Sequence, residues 1–345
     1  MKYVLSRSVF VRSFVTLCLL VCCSTLGYAQ REQAGIRYEF FGPRSIPAGT
    51  PNLYNGGQVG MSLLTINGGF QFQLDKEGSS VWNSQFVYRN ANANFPTAKA
   101  ANGEFTNTSL TGHAIYYEGL FLQTLSEKFQ LALALRAGLF SDMNNINLSH
   151  FRAEPIAFLD WFVDDKFILG LGFAYGTSNF GRLVNTPLLH IYWIPSPEIL
   201  VDALLPTRLD VWYYPTKQID VGLSIVLNGA QFQLGQPLNI QGIERTLMAP
   251  SINSGLVRRT SDIDQFYFAN ATIGPNIRYN LFDKTYISVE GGYTLVRRLG
   301  FDNFAQHSGL IAGGRNDVDY IMSYFRGFDF GVNTWFVRAG IQIMY

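Results

Sequence analysis

The chain has 345 residues, 48% of them hydrophobic and 15% aromatic, and only 15% charged, against roughly 25% in an average soluble domain. Its 26 Lys and Arg balance 25 Asp and Glu, so it has neither the basic field that holds nucleic acid nor an acidic tail that imitates it. All three cysteines, Cys18, Cys22 and Cys23, fall in the first 23 residues, which leaves nothing beyond them for a disulfide framework, a thiolate metal site or a thiol nucleophile.

Lys2, Arg7 and Arg12 precede an apolar run from about Val15 to Cys23, and Gly27-Tyr28-Ala29 follows. A basic start, a short apolar stretch and small residues at its exit form a secretory signal peptide, so residues 1–29 are expected to be removed. The run is about ten residues, short of the roughly 20 that a helix needs to cross hydrocarbon. Lipid attachment at Cys22 or Cys23 is disfavoured because Val21 and Cys22 precede them where a small residue is expected. Cleavage after Ala29 leaves one domain, residues 30–345, with 23 basic and 25 acidic side chains.

Beyond residue 29 the hydrophobic period is two. Phe129, Leu131, Leu133, Leu135, Ala137 and Leu139 alternate with Gln130, Ala132, Ala134, Arg136 and Gly138. Phe167 to Gly176, Ile219 to Asn228 and Tyr267 to Asn280 repeat the alternation, and each reads as a half-exposed strand. About fourteen strands are expected, within a range of 12 to 16. They centre on 35–41, 58–74, 79–90, 109–124, 128–140, 147–162, 167–177, 186–194, 198–204, 207–214, 219–233, 263–281, 285–297 and 331–345.

Tight polar turns fall at Asp75-Lys76-Glu77-Gly78, Ser126-Glu127-Lys128, Asp164-Asp165-Lys166, Ser196-Pro197-Glu198, Pro215-Thr216-Lys217 and Asp283-Lys284. Between them lie longer connections, notably 42–57, 91–108, 234–262 and 298–330, with a short exception at Leu205-Pro206-Thr207. Short turns on one rim and long loops on the other describe an outer-membrane barrel with its short turns in the periplasm.

A soluble sandwich would also alternate, but fourteen long apolar faces need a second layer, and no helical segment supplies one. Closing the sheet turns those faces to hydrocarbon and leaves no edge unpaired. An arginine at mid-depth on the lipid side costs about 2–4 kcal/mol, so Arg136, Arg278 and Arg338 assign their faces to the interior. The fold class is therefore all-β: a transmembrane, antiparallel, up-and-down β-barrel.

In the last strand Trp335, Val337, Ala339, Ile341, Ile343 and Tyr345 alternate with Phe336, Arg338, Gly340, Gln342 and Met344. This resembles the carboxy-terminal targeting strand of Gram-negative outer-membrane barrels, whose terminal aromatic is read by the assembly machinery. With the Leu204-Leu205-Pro206 corner followed by Val211-Trp212-Tyr213-Tyr214, the layout resembles an uncharacterised outer-membrane barrel family, a domain of unknown function. The resemblance implies a fold and the outer membrane of a Gram-negative bacterium as its address. It carries no catalytic or binding residues.

With the oil outside, the lumen set is Arg136, Arg152, Glu154, Asp160, His190, Arg208, Asp210, Trp212, Tyr214, Asn276, Arg278, Glu290 and Arg338. The charged members are expected either to pair across a filled lumen or to set the field of a small-solute pore. A channel for hydrophobic substrates along Phe140, Phe158, Leu188, Tyr192 and Phe268 is an alternative, as is a receptor or adhesin using loop 298–330. Trp82, Phe86, Tyr88, Trp161, Trp193, Tyr279, Tyr293, Trp335 and Tyr345 read mainly as interfacial girdle. A barrel-type lipid hydrolase ranks last. Ser149-His150 and His307-Ser308 are sequence neighbours, which on a strand point to opposite faces, and no HExxH or GxSxG occurs. No enzyme activity, cofactor or metal is expected. The expected partners are outer-membrane lipid and, during biogenesis, the export and barrel-assembly machineries.

Overall fold

The computed structural model describes residues 32–46, 57–99, 105–177, 184–236, 264–282, 284–302 and 332–344. Fourteen strands account for nearly all of them: β1 (Glu32–Ser45), β2 (Gln58–Gln73), β3 (Ser80–Lys99), β4 (Phe105–Ser126), β5 (Phe129–Ser141), β6 (Phe151–Asp164), β7 (Phe167–Thr177), β8 (Val184–Ser196), β9 (Ile199–Leu205), β10 (Arg208–Tyr213), β11 (Ile219–Gln233), β12 (Gln265–Phe282), β13 (Thr285–Asp302) and β14 (Trp335–Met344). Each pairs antiparallel with the next, and β14 closes on β1 through the register Phe41↔Phe336 to Gly35↔Gln342. The signal segment and Tyr345 lie outside the described residues.

The outer surface is apolar where a soluble protein would be polar. Leu171 on β7 is 68% exposed and Phe86 on β3 62%, and Ile36, Ile115, Ile277, Val289 and Ile341 are exposed on β1, β4, β12, β13 and β14. A continuous belt of this kind exceeds any patch a soluble monomer presents. A closed sheet satisfies its own backbone groups, so hydrocarbon is the solvent that suits this face. Among the described residues no helix is long and apolar enough to cross a membrane; the crossing elements are strands.

The six tight turns lie on one rim, as their polar sequences predict. The β2–β3 turn is held by Asp75, which accepts from the Ser79 N–H at 2.9 Å and from its hydroxyl at 2.5 Å. On the other rim the expectation for 91–108 needs correcting. β3 runs on to Lys99, and β4 starts at Phe105. Ala91, Ala93 and Phe95 are buried inside the barrel while Asn92 and Asn94 face out. That outward polarity belongs to strands rising above the lipid, and it reads as loop only if an apolar outer face is required.

Wall height is uneven. β9 and β10 have seven and six residues, fewer than the roughly 9–11 that a tilted strand needs to cross hydrocarbon. Their connecting corner is fixed by the Thr207 N–H and hydroxyl, both donating to the Leu204 carbonyl at 2.7 Å. β11 outruns β10: the last paired residue is Val226 opposite Arg208, and the Leu227 N–H then reaches the Thr207 carbonyl at 2.8 Å. The free end of β11 crosses to β5, where Gln233 pairs with Ser141 in parallel and its carbonyl accepts from the Asp142 N–H at 3.1 Å. The long-loop end is thus drawn into a narrower ring of nine strands, β11–β14 with β1–β5.

That narrow end is filled with oil. Phe232 and Phe268 are fully buried; Phe232 stacks on Phe266 and Phe268 with ring centroids 5.9 and 6.2 Å apart. Phe41 stacks on Phe336 at 6.1 Å and Tyr116 on Phe140 at 5.6 Å. Gly112 on β4 makes room for the arrival of Phe232, since a Cβ there would sit 2.6 Å from its ring.

Candidate functional site: the charged chamber beneath the aromatic seal

Two residues below Phe41 and Phe336 on the same inward faces come Glu39 and Arg338, a step of about 6.6 Å along a strand. Oil gives way to charge within that step. Glu39, Arg338 and Glu290 lie side by side in register on β1, β14 and β13. The Arg338 guanidinium donates to Glu290 at 2.5 Å and to Glu39 at 2.8 Å, while Arg37 adds a contact to Glu39 at 3.4 Å.

The same construction recurs around the wall. Arg136 on β5 lies in register between Glu118 on β4 and Glu154 on β6, 3.2 and 3.0 Å away. Arg208 grips Asp202 at 2.6 Å and Asp210 at 3.4 Å, and Arg278 meets Asp220 at 3.2 Å. Asp160 on β6 and His190 on β8 join at 2.9 Å across the intervening strand. This is open to them because the residue in register between them is Gly170, where a Cβ would collide with Asp160 Oδ1. The lumen charges therefore pair along the wall, strand to neighbouring strand, and not across the barrel as a filled lumen would have them.

Three of these arginines also lie over aromatic rings. Arg278 stacks on Trp212 at 3.5 Å, Arg136 on Tyr116 at 5.2 Å and Arg338 on Phe336 at 5.5 Å. A carboxylate at the edge and a ring beneath fix a planar guanidinium in place. Lysine is kept to the rims: Lys76, Lys128, Lys166, Lys217 and Lys284 sit on the short turns, where the strongly hydrated ammonium stays in water, and Lys99 ends β3 at the other rim.

These side chains surround a chamber of about 360 Å³, at the small end of ligand pockets. Six arginines border it (Arg37, Arg89, Arg136, Arg208, Arg278 and Arg338) but only three carboxylates: Glu118, Asp210 and Glu290. The imbalance has a steric cause. Glu39, Glu154, Asp160 and Asp202 are almost fully buried at the wall, whereas the longer arginines reach inward, so an interior balanced in charge presents a cationic surface. Arg89 stands out because its hydrogen-bond partner is an amide, Asn228 Oδ1 at 3.1 Å.

Of the lumen set read from the sequence, Arg136, Arg208, Asp210, Trp212, Asn276, Arg278, Glu290 and Arg338 border the chamber. Glu154, Asp160 and His190 stand behind it in the wall pairs. Arg152 joins none of these pairs; it is buried over the Phe140 ring at 5.5 Å. Sequence reasoning passed over Arg37, Glu39, Arg89, Glu118 and Asp202. The signal that finds them is charge at alternate positions opposite an apolar face, as in Arg37 and Glu39 set against Tyr38 and Phe40.

The five residues offered as a hydrophobic route are divided. Phe140 and Phe268 belong to the aromatic seal, Phe158 and Leu188 pack with Ala174 and Leu204, and Tyr192 packs with Ile168. None borders the chamber. His150 bonds Ser141 Oγ at 2.6 Å, not its neighbour Ser149, and both partners are buried. His307, Ser308 and the loop beyond residue 302 lie outside the described residues. Among the described residues no three metal-ligating side chains gather. Trp335, Val337, Ala339, Ile341 and Ile343 face outward on β14.

Solved structures with similar folds include an outer-membrane channel, COG4313, from Pseudomonas putida F1 (10% identity, 92% of this chain and 98% of that one, TM-score 0.40). The NanC porin matches at 8% identity over 90% and 98% of the two chains, with a TM-score of 0.34. The β domain of the Bordetella autotransporter BrkA matches at 8% over 91% and 100%, with a TM-score of 0.35. No curated protein sequence matches. A family model matches residues 28–305, most of the chain, and on that match the protein belongs to the family described as Domain of unknown function (DUF6268).

Proposed function

We propose that the protein is an outer-membrane pore for small solutes, with a charged lumen and a seal toward the long loops. The leader-like amino terminus and the lipid-suited outer face support the outer membrane of a Gram-negative envelope. In that setting the short turns and both chain ends face the periplasm. The outward apolar alternation of Trp335, Val337, Ala339, Ile341 and Ile343 on β14 supports recognition by the barrel-assembly machinery.

The observation that carries the reading is the position of the chamber. A polar space of about 360 Å³ lies directly beneath a packed apolar layer, and a barrel serving only as a wall has no need to keep a chamber open. Solute passage requires the β5–β11 end and its aromatic stack to move. No catalytic role is assigned: the Ser141–His150 pair is buried away from the chamber. The division of Phe140, Phe158, Leu188, Tyr192 and Phe268 among separate clusters weighs against a route for hydrophobic substrates.

Planar-bilayer recording tests this. The intact chain is expected to be mostly silent with rare openings, and a Phe232→Ala/Phe268→Ala variant to show frequent discrete steps. Silence in both, with heat-modifiable gel mobility showing both folded, would overturn the pore.

A further inference from the structure

We infer that the chamber is a binding site for one small hydroxylated organic anion, carrying a carboxylate or a phosphate. This rests on the pore reading for its setting and adds a ligand class to it. Arg37, Arg89 and Arg136 occupy alternate strands β1, β3 and β5, and Arg208, Arg278 and Arg338 occupy β10, β12 and β14. β14 pairs with β1, so the six follow one another around one arc of the wall, Arg338 and Arg37 meeting at Glu39, and Arg89 reaches across the lumen to Asn228 on β11.

Three features point to a bound anion and not to a general field. First, Arg278, Arg136 and Arg338 are each held by carboxylates and an aromatic ring, so their donors are oriented before a ligand arrives, which removes part of the ordering cost of binding. Second, Arg89 spends its hydrogen bond on an amide, Asn228, and the carboxylate its charge reaches, Glu39, is already gripped by Arg338 and Arg37. Third, the border also carries amides and hydroxyls, among them Asn83, Asn276, Ser224 and Ser288, with a smaller apolar share from Val87, Val226, Leu227 and Met344, which suits a hydroxylated organic solute better than a bare ion. The volume is that of about a dozen waters, or one organic solute of equal bulk.

The test is calorimetric and fluorescence titration of the refolded full chain in detergent. Gluconate and glycerol 3-phosphate are the probes, with glucose and glycerol as their neutral counterparts. Saturable binding of either anion, at least tenfold tighter than its neutral counterpart, is expected. Gluconate alone, glycerol 3-phosphate alone or both would identify the anionic group.

Arg89→Gln should weaken binding at least tenfold and Arg89→Lys by much less. Arg44→Gln should leave it unchanged, since Arg44 lies outside the chamber, exposed and bonded to Tyr293. Trp212→Phe should remove most of the fluorescence response and so locate the ligand; gel mobility confirms that each variant is folded. Equal binding of neutral and anionic probes, no saturable binding, or indifference to Arg89→Gln would overturn the proposal. Bilayer steps without binding would leave the pore standing and remove the site, whereas binding without steps would do the reverse.

Discussion

Arg89 on β3 donates to Asn228 on β11 at 3.1 Å although six strand-to-strand steps separate them around the ring. Nearly opposite walls of a fourteen-stranded barrel therefore touch. Fourteen strands enclose more room than eight, whose side chains fill the interior, so the contact marks a pinch and not an intrinsically narrow barrel. Its origin is the departure of β11 from β10 after Val226 and its crossing to β5.

Removing that crossbar should loosen the pinch at small cost. Asn228→Ala is expected to lower stability by about 0.5–1.5 kcal/mol, the net value of one hydrogen bond. Urea titration of tryptophan fluorescence in detergent measures it, and bilayer openings should become longer. A loss several times larger would mean that Asn228 supports more than this contact.

Arg338 holds two carboxylates at once, one of them, Glu39, only 1% exposed. Arg338→Met would strand both negative charges away from water, at a cost of about 3–5 kcal/mol. Adding Glu39→Gln and Glu290→Gln should recover a large part of that loss. If the triple variant is no more stable than the single one, charge pairing is not what holds this part of the wall.

The absent side chain at Gly170 can be tested directly. Gly170→Ala places a methyl group against Asp160 Oδ1 and close to His190 Cβ, so the Asp160–His190 bridge must part. A loss of about 1–3 kcal/mol is expected from overpacking. In an Asp160→Ala background the same substitution should cost much less, and a thermal gel-shift series on the four proteins completes the cycle.

The β5–β11 contact can be locked. Beyond residue 23 the chain has no cysteine, so Ser141→Cys with Gln233→Cys introduces the only thiols in a protein expressed from residue 30 onward. Their backbones are paired neighbours, within disulfide reach. Oxidation should give a cross-link seen by alkylation and mass spectrometry, suppress bilayer steps and raise stability by about 4 kcal/mol for a loop of this length; reductant should restore the steps. Unchanged conductance in the oxidised form would mean that the seal does not open here.

Much of the architecture was legible because a barrel in lipid obeys a strict local rule. Every crossing strand must alternate, so Leu131 to Leu139 on β5 and Ile219 to Leu227 on β11 declare their outer faces without reference to any neighbour. Tight turns declare themselves by Asp, Lys, Gly and Pro. Where the rule lapses, the reading lapsed: above the lipid, β3 carries Asn92 and Asn94 on its outer face and looked like loop. The chamber was only half legible. Arg136, Arg278 and Arg338 could be placed inside because an arginine in hydrocarbon is costly, but their partners depend on register, which a period of two leaves open.

Sequence alone thus determined an antiparallel barrel of about fourteen strands and, for most of them, which face looks inward and which outward, since both follow from side chains meeting either lipid or water. Only the tertiary structure decided that the charges pair along the wall, that β11 crosses to β5, and that aromatic side chains close one end over an arginine-rich chamber. Those outcomes depend on which residues of distant strands arrive at the same height, and strand stagger and the crossing of β11 set that height.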